Sequence, residues 1–157
     1  MKILIINGPN INLLGIREHS NYGILTLAEI TKIIEAEYKE INFEFYQSNF
    51  EGEIIEKIQN AQKEFDALII NPGGYAHTSV AIKDALEACK IIKIEVHLSH
   101  LAKREDYRQT LLTAGSCDGY ISGFKEKSYL AAVYLAQKLL IPCILLLLKE
   151  IFIFIKV

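Results

Sequence analysis

The sequence of 157 residues is poor in cysteine, with only three, and it has no tryptophan and a single methionine. Its cysteines, Cys89, Cys117 and Cys143, form no Cys-x-x-Cys pair and lack zinc-site spacing, so we expect them to be small core residues. Their odd number suits a reducing compartment, and we expect the protein to be cytoplasmic. The net charge is −2 without a basic block, so nothing indicates binding to nucleic acid or to an anionic membrane surface.

Long apolar runs are also lacking, although hydrophobic residues make up 51% of the chain and indicate a globular protein. A membrane-spanning helix needs roughly 20 uninterrupted apolar residues, and the apolar C-terminal segment is interrupted by Pro142 and by a charged pair at 149–150. We predict one domain over residues 1–140 and an atypical apolar tail over 141–157. This tail has three interpretations: an extra β element, an oligomer contact or a sequence change. The first strand starts at Lys2, so we expect no secretory signal.

Several ligand-binding motifs are missing from the loops. The segment after the first strand has neither the Gly-x-Gly-x-x-Gly pattern of dinucleotide sites nor the pattern of a P-loop. The end of the first strand also lacks the acidic residues that hold Mg²⁺ in a phosphoryl-accepting receiver domain. His77, His97 and His100 show no His-Glu-x-x-His spacing, and apolar elements separate the candidates, so we predict no metal site.

The chain does contain a regular alternation of strand and helix patterns. Apolar or alternating runs predict five strands, and Thr26 with Glu29 forms a capping box that predicts the start of the first long helix. The predicted strands are 2–6, 42–47, 67–70, 91–96 and 119–122, and the predicted helices are 27–38, 51–64, 79–89, 102–111 and 127–140. This alternation predicts an α/β fold, a flavodoxin-like three-layer sandwich with a parallel five-stranded sheet in the order 2-1-3-4-5.

Polar segments follow three of the predicted strands, at 7–22, 71–79 and 97–108. In open α/β sheets, ligands bind beyond the carboxyl ends of the strands, at the point where the strand order reverses. In the predicted order this point lies between the first and third strands. We therefore expect the three polar segments to meet there and to form a binding site.

Glu95 and His97 are the first candidate catalytic pair. They are two residues apart on the fourth predicted strand and therefore share a face. A carboxylate beside an imidazole can fix its tautomer and favour its protonated form, as a general acid requires. A strand-end histidine beside a solvated glutamate explains the same spacing equally well, so both interpretations stay open at this point.

Two arginine-containing pairs are further candidates. Arg17 and Tyr22 share the first polar segment. A tyrosine ordinarily has a pKa of about 10, and a nearby arginine can favour its phenolate form. A surface arginine and a packed tyrosine are the plainer interpretation. Arg104 and Arg108, four residues apart, share one face of the predicted short helix and could meet a carboxylate or hydroxyls, although such a pair more often forms a solvated face.

Five groups of motifs carry a family resemblance. They are Asn7–Asn10 with Leu13–Gly15, Arg17–Glu18 and Tyr22–Gly23; Gln47–Asn49 with Glu51–Glu53; Asn71–Gly73 with His77–Ser79; Glu95–Ser99; and Arg104–Glu105 with Tyr107–Arg108. In their order and spacing, over about residues 1 to 124, they closely resemble type II 3-dehydroquinases. The resemblance implies a cofactor-free hydro-lyase that dehydrates 3-dehydroquinate to 3-dehydroshikimate by anti elimination through an enolate. This step belongs to the shikimate pathway of aromatic biosynthesis and also occurs in quinate breakdown.

The resemblance also implies roles for individual residues. Tyr22 matches the base that removes the proton next to the ketone, and Arg17 matches the residue that holds this base as a phenolate. Asn10 matches an asparagine that positions a water molecule against the developing enolate. His97, supported by Glu95, matches the general acid that protonates the departing hydroxyl.

Six further residues match positions that bind the substrate in the resembling family. Asn71 and the backbone amides of Leu98 and Ser99 match groups that hold the substrate carboxylate. His77 and Arg108 match contacts to the ring hydroxyls. Asp84 matches a residue that reaches into the site of a neighbouring subunit. The partners implied are therefore the small-molecule substrate and further copies of the chain, as trimers assembled into a dodecamer.

Three positions depart from the family pattern. His100 replaces the usual asparagine after His-Leu-Ser, residues 124–128 replace a glycine-containing turn, and the apolar tail follows Leu140. The altered turn and the tail motivate an alternative function, a catalytically silent flavodoxin-like binding module.

Overall fold

The computed structural model describes the backbone of residues 1–154 and the side chains of residues 1–140. One central sheet is built from the strands β1 (Lys2–Asn7), β2 (Asn42–Gln47), β3 (Ala67–Asn71), β4 (Ile92–His97) and β5 (Gly119–Ser122). Every pairing is parallel, and the order β2-β1-β3-β4-β5 confirms the predicted one. The central strands β1 and β3 are almost completely buried, as expected for a parallel sheet covered on both faces.

Two long helices cover each face of the sheet, and one short helix lies in the loop after β1. They are α1 (His19–Tyr22), α2 (Leu27–Glu37), α3 (Glu51–Ala61), α4 (Val80–Ala88) and α5 (Lys127–Phe154). Ile3 and Ile5 of β1 pack toward α2 and α5, whereas Leu4 and Ile6 pack toward α3 and α4. This alternation along one strand produces two separate cores and confirms the predicted three-layer sandwich.

The predicted capping box begins α2. The Thr26 hydroxyl accepts a hydrogen bond from the N–H of Glu29 at 3.2 Å, and the N–H of Thr26 donates to Glu29 Oε2 at 2.8 Å. These bonds satisfy two backbone donors that the first turn of a helix leaves without partners. They also fix where the long first loop ends.

The prediction of one short helix over 102–111 is wrong. The segment forms two 3₁₀ helices, Leu101–Lys103 and Asp106–Gln109. Between them Arg104 is extended, with φ −97° and ψ −178°, so it shares no helix face with Arg108. The Arg104 side chain donates a hydrogen bond to the distant Tyr22 hydroxyl, and this tertiary contact opposes the local helical preference.

Helix α5 continues to Phe154 and is therefore longer than the predicted helix, which ends at Leu140. The helical backbone up to Phe154 contradicts the interpretation of the tail as an extra β element. The side chains of 141–157 lie outside the described residues, so an oligomer contact and a sequence change stay predictions. In the part of the chain that the structure describes, no helix combines the length and the apolar character needed to cross a membrane.

The loops after β1 and β3 interlock at the carboxyl edge of the sheet. A Cβ atom at Gly8 would collide with the carbonyl of Pro72, and one at Gly73 would approach the carbonyl oxygen of Pro9 to 2.7 Å. Gly73 also has a φ of 62°, a conformation that favours glycine. The two glycines therefore allow the close approach of two loops that both carry predicted site residues.

Candidate active site

A small cavity lies at the carboxyl edge of the sheet, where the polar segments meet as predicted. Its volume is about 90 Å³. Sites for large ligands occupy about 300–1,000 Å³, so this cavity suits a small polar molecule. Nine of the eleven predicted site residues line it: Asn10, Arg17, Tyr22, Asn71, His77, His97, Leu98, Ser99 and Arg108.

Tyr22 is buried, and its hydroxyl accepts hydrogen bonds from two arginine side chains. Arg17 Nη2 and Arg104 Nη1 each donate to Tyr22 Oη at 3.1 Å. The Arg17 guanidinium also lies 3.9 Å from the centre of the Tyr22 ring. Two guanidinium groups therefore place two positive charges within hydrogen-bond distance of a single oxygen atom.

Arg104 was not among the predicted site residues, although its four-residue spacing from Arg108 drew attention to it. A neighbouring carboxylate holds both arginines in place. Glu105 Oε2 accepts from Arg104 Nε at 3.2 Å and from Arg108 Nε at 3.0 Å. The hydrogen bond from its own backbone N–H, followed by the two arginines, lowers the pKa of Glu105 to about 2. Glu105 therefore stays ionised and continues to bind the arginines well below neutral pH.

Glu95 and His97 form a buried dyad, which resolves the alternatives left open by their spacing. His97 Nε2 donates to Glu95 Oε1 at 2.7 Å, and Glu95 has no solvent exposure. The hydroxyl of Thr113 donates to Glu95 Oε2 at 2.5 Å. Thr113 lies 18 residues further along the chain, and sequence reasoning missed it because no local pattern indicates this contact.

His77 stands beside the dyad. Its Nδ1–H donates to the carbonyl of Thr110 at 2.8 Å, and its ring stacks with that of His97 at a centroid distance of 6.3 Å. Burial lowers the pKa of His77 below its ordinary value of 6.5. The imidazole therefore stays neutral at neutral pH and keeps an acceptor nitrogen for the proton of a hydroxyl group.

Asn10 lies at the turn after β1 and lines the cavity. Its φ of 67° is in the left-handed region, which asparagine tolerates better than most residues. Its N–H donates to Asn49 Oδ1 at 3.1 Å, and its carbonyl accepts from Arg17 Nη1 at 3.3 Å. These bonds hold the turn without using the side-chain amide of Asn10.

Two predicted residues do not line the cavity: Glu95 lies behind His97 and binds it, whereas Asp84, in the described part of the chain, contacts no residue of the site. Asp84 lies on α4 with a side chain that is 67% exposed, and Oδ1 is 4.0 Å from Lys83 Nζ. A single chain does not test the expected contact with a neighbouring subunit, which stays a prediction.

The altered turn at 124–128 supports the general-acid candidate. Ser128 Oγ donates to the carbonyl of His97 at 3.1 Å and accepts from the N–H of Phe124 at 3.3 Å. His100 packs against Gly123, where a Cβ atom would lie 3.1 Å from His100 Cβ. Both departures from the family pattern are therefore accommodated without disturbing the dyad.

In the described part of the chain, the residue types that commonly bind metals are not clustered. Over residues 1–140, where side chains are described, no three His, Cys, Asp or Glu side chains come together in a way that could hold a metal ion. The chemistry available at the cavity is that of one phenol, two imidazoles, arginines and amides.

Comparison with known proteins identifies the family. The family model described as dehydroquinase class II matches residues 1–137. The chain belongs to this family. Among class II dehydroquinases and related proteins, a 3-dehydroquinate dehydratase of Caldicellulosiruptor bescii is 50% identical over 142 residues, covering 88% of this chain and 98% of that relative. One from Fusobacterium nucleatum is 50% identical over 143 residues, covering 87% and 97%.

A solved structure agrees with this assignment. The type II dehydroquinase of Butyrivibrio crossotus is 45% identical and has a TM-score of 0.84, and the match covers 87% of this chain and 97% of that one. The match to the class II dehydroquinase family thus covers the domain that contains the cavity.

Proposed function

We propose that this protein is a 3-dehydroquinate dehydratase of the shikimate pathway, a cofactor-free hydro-lyase that forms 3-dehydroshikimate. The observation that carries the proposal is one cavity lined both by a tyrosine on which two guanidinium groups converge and by a histidine bound to a buried carboxylate. An elimination of water beside a ketone requires such a base and such an acid. Family membership and relatives with that printed name support the same reaction.

Tyr22 is the proposed base. As a phenolate it takes the proton next to the ketone, and the electrons of the broken C–H bond form the enolate. Arg17 and Arg104 stabilise the anionic form of the base by direct contact. Asn10, which lines the same cavity, positions a water molecule that donates to the enolate oxygen.

His97 is the proposed general acid. The enolate expels the hydroxyl group on the neighbouring carbon, and His97 protonates it so that it leaves as water. Because Nε2 is bound to Glu95, Nδ1 is the ring nitrogen that exchanges the proton. Glu95 fixes the ring orientation and stabilises the imidazolium, and Thr113 holds the second oxygen of Glu95.

Substrate binding uses the remaining residues of the cavity. We assign the carboxylate to the side chain of Asn71 and the backbone amides of Leu98 and Ser99, which line the cavity together. We assign the ring hydroxyls to His77, with its acceptor nitrogen, and to Arg108, held by Glu105.

We further propose a cytoplasmic homo-oligomer, trimers assembled into a dodecamer, in which Asp84 enters the site of a neighbouring copy. The high exposure of the Asp84 side chain on α4 supports such a contact. The two described cysteines, Cys89 and Cys117, are both free, which suits a reducing compartment.

The decisive experiment mixes purified protein with 3-dehydroquinate and follows the ultraviolet absorption of the conjugated enone product. We expect turnover by the wild type and its loss in Tyr22→Phe, which removes the base but keeps the ring. Tyr134→Phe, at an exposed tyrosine on α5, is the matched control and should keep full activity. Folded wild-type protein that is stabilised by the ligand but forms no product would instead identify the silent binding module.

A further inference from the structure

Three polar side chains lie buried together beneath the cavity. Asn7 and Asn71 end β1 and β3, where they are paired in register, and both are almost fully buried. They point to the same face of the sheet as Ile5 and Ile69, toward α5. Tyr129, on the first turns of α5, is 1% exposed and reaches both asparagines from the apolar core.

The side chains of Asn7, Tyr129 and Asn71 form a chain of hydrogen bonds in which each donor and acceptor is determined. Tyr129 Oη donates to Asn7 Oδ1 at 2.5 Å, because an amide oxygen can only accept. The same hydroxyl accepts from Asn71 Nδ2 at 3.0 Å. On the other side of that amide, Asn71 Oδ1 accepts from the N–H of Gly73 at 3.2 Å.

This sequence of donors and acceptors determines which way the Asn71 amide faces. The N–H of Gly73 requires an oxygen, and the hydroxyl of Tyr129, already donating to Asn7, requires a donor. Reversing the amide would place a donor against a donor and an acceptor against an acceptor in a buried site, where hydrogen bonds that are not made are costly. One hydrogen of Asn71 Nδ2 binds Tyr129, and the second is available to an acceptor in the cavity that Asn71 lines.

We propose that Tyr129 is a positioning residue for the substrate carboxylate, because its hydroxyl orients the Asn71 amide so that an N–H faces the cavity. The inference rests on the proposed function, in which Asn71 binds that carboxylate. Tyr129 does not line the cavity and acts only through Asn71.

The protonation of Tyr129 agrees with this role. Burial raises the pKa of its hydroxyl well above the ordinary value of 10.0. The hydroxyl therefore keeps the proton that it donates to Asn7.

The first test replaces Tyr129 by phenylalanine, which keeps the ring in the core and removes the hydroxyl. We expect KM for 3-dehydroquinate to rise about 5- to 10-fold, the size of one neutral hydrogen bond, while kcat changes little. Tyr38→Phe is the matched control, because Tyr38 also donates a hydrogen bond to α5, to the carbonyl of Leu130 at 2.8 Å, but contacts neither asparagine. Each variant loses a hydrogen bond to its hydroxyl and should be less stable than the wild type, but only Tyr129→Phe should change KM.

A double-mutant cycle tests whether Tyr129 acts through Asn71. Once Asn71→Ala has removed the amide, adding Tyr129→Phe should leave KM where the single Asn71→Ala variant has it. If Tyr129→Phe folds poorly, Asn7→Ala gives a second route, because the Tyr129 hydroxyl then loses its acceptor and no longer needs to accept from Asn71. An unchanged KM in the stable variant, or effects on KM that multiply in the double variant, would overturn the proposal.

A readout without substrate separates this inference from the proposed function. The side-chain amide protons of Asn71, followed by NMR, should exchange with solvent faster in Tyr129→Phe than in the wild type or in Tyr38→Phe. Equal exchange rates would overturn the positioning role even in an active enzyme. Absence of wild-type turnover would count against the dehydratase alone.

Discussion

At the level of single residues, the two guanidinium groups on Tyr22 are the main electrostatic feature of the site. Arg17 comes from the same loop, five residues away, whereas Arg104 comes from 82 residues further along the chain. Two independent segments therefore converge on one hydroxyl. Two cations beside one oxygen favour a role in stabilising negative charge.

Arg104→Met should lower kcat by about 10²-fold, the size expected when one of a few charge-stabilising donors is removed. The methionine keeps the aliphatic part of the side chain but removes the cation. Arg104→Lys should retain part of the activity because the charge remains. Lys103→Met, at an exposed neighbour, is the control for the loss of a positive charge in this segment. Wild-type kcat in Arg104→Met would show that Arg17 alone suffices.

His77 gives a prediction about pH. Because burial lowers its pKa below 6.5, the unfolded chain binds a proton at higher pH than the folded protein. The free energy of unfolding should therefore fall as the pH drops from about 6.5 through the lower pKa of the folded state. Urea unfolding at several pH values should show less of this loss for His77→Gln than for the wild type. An NMR titration that places the His77 pKa at or above 6.5 would contradict the prediction.

At the level of elements, the turn between β5 and α5 combines a functional contact with local strain. The Phe124 N–H in this turn donates to the side-chain hydroxyl of Ser128, which donates in turn to the carbonyl of His97. Lys125 in the same turn has a φ of 51°, in the left-handed region that costs a side chain about 1–2 kcal/mol. The family resemblance implies a glycine-containing turn at this place.

Lys125→Gly should increase the free energy of unfolding by up to about 1 kcal/mol. Glycine removes the steric cost of the positive φ, although its greater freedom in the unfolded chain offsets part of the gain. Lys125→Ala is the matched control, because alanine also shortens the side chain but keeps the Cβ atom, and it should give no increase. Denaturant unfolding of both variants measures the difference, and equal stabilities would show that the turn is not strained.

Some helices and strands could be predicted from local sequence signals alone. The capping box at Thr26 and the alternating pattern of β2 act within a few residues, and both predictions are confirmed. The short helix over 102–111 was wrong because the side chain of Arg104 gains contacts far from its own segment. Local propensity decides an element only where tertiary contacts do not oppose it.

At the level of the whole molecule, the proposed assembly predicts active sites shared between copies. Asp84→Ala and Tyr22→Phe should each be inactive as homo-oligomers. When the two are dissociated, mixed and reassembled, sites that pair an intact Tyr22 with an intact Asp84 from a neighbouring copy should recover activity. Recovery with an oligomer mass that fits trimers or a dodecamer would support the proposal. An active monomer, or no effect of Asp84→Ala, would contradict it.

The extent of the catalytic domain is a second prediction at this scale. The family model ends at residue 137, and α5 runs on to Phe154. A chain that stops after Leu140 should fold and keep kcat and KM within about twofold, because every residue assigned to the site precedes this point. Circular dichroism and the enone assay measure the outcome. Loss of folding in the shortened chain would make 141–157 part of the domain.

The sequence by itself determined the sheet and most of the site. Periodicity within short segments defined the strands, and the rule that parallel strands end at one edge brought their polar loops together. Family motifs supplied eleven site residues, of which nine line the cavity. Sequence motifs could identify Asn10, Arg17 and Tyr22 because these residues lie within one continuous segment.

Only the tertiary structure decided the contacts that hold those residues in place. Arg104 on Tyr22, Thr113 on Glu95 and Tyr129 between two asparagines join positions 82, 18, 58 and 122 residues apart. Such contacts depend on how a helix or loop packs against the sheet, which has no counterpart in local periodicity. The hydrogen-bond partners of a buried polar group are settled by whichever donor the packing brings within about 3 Å.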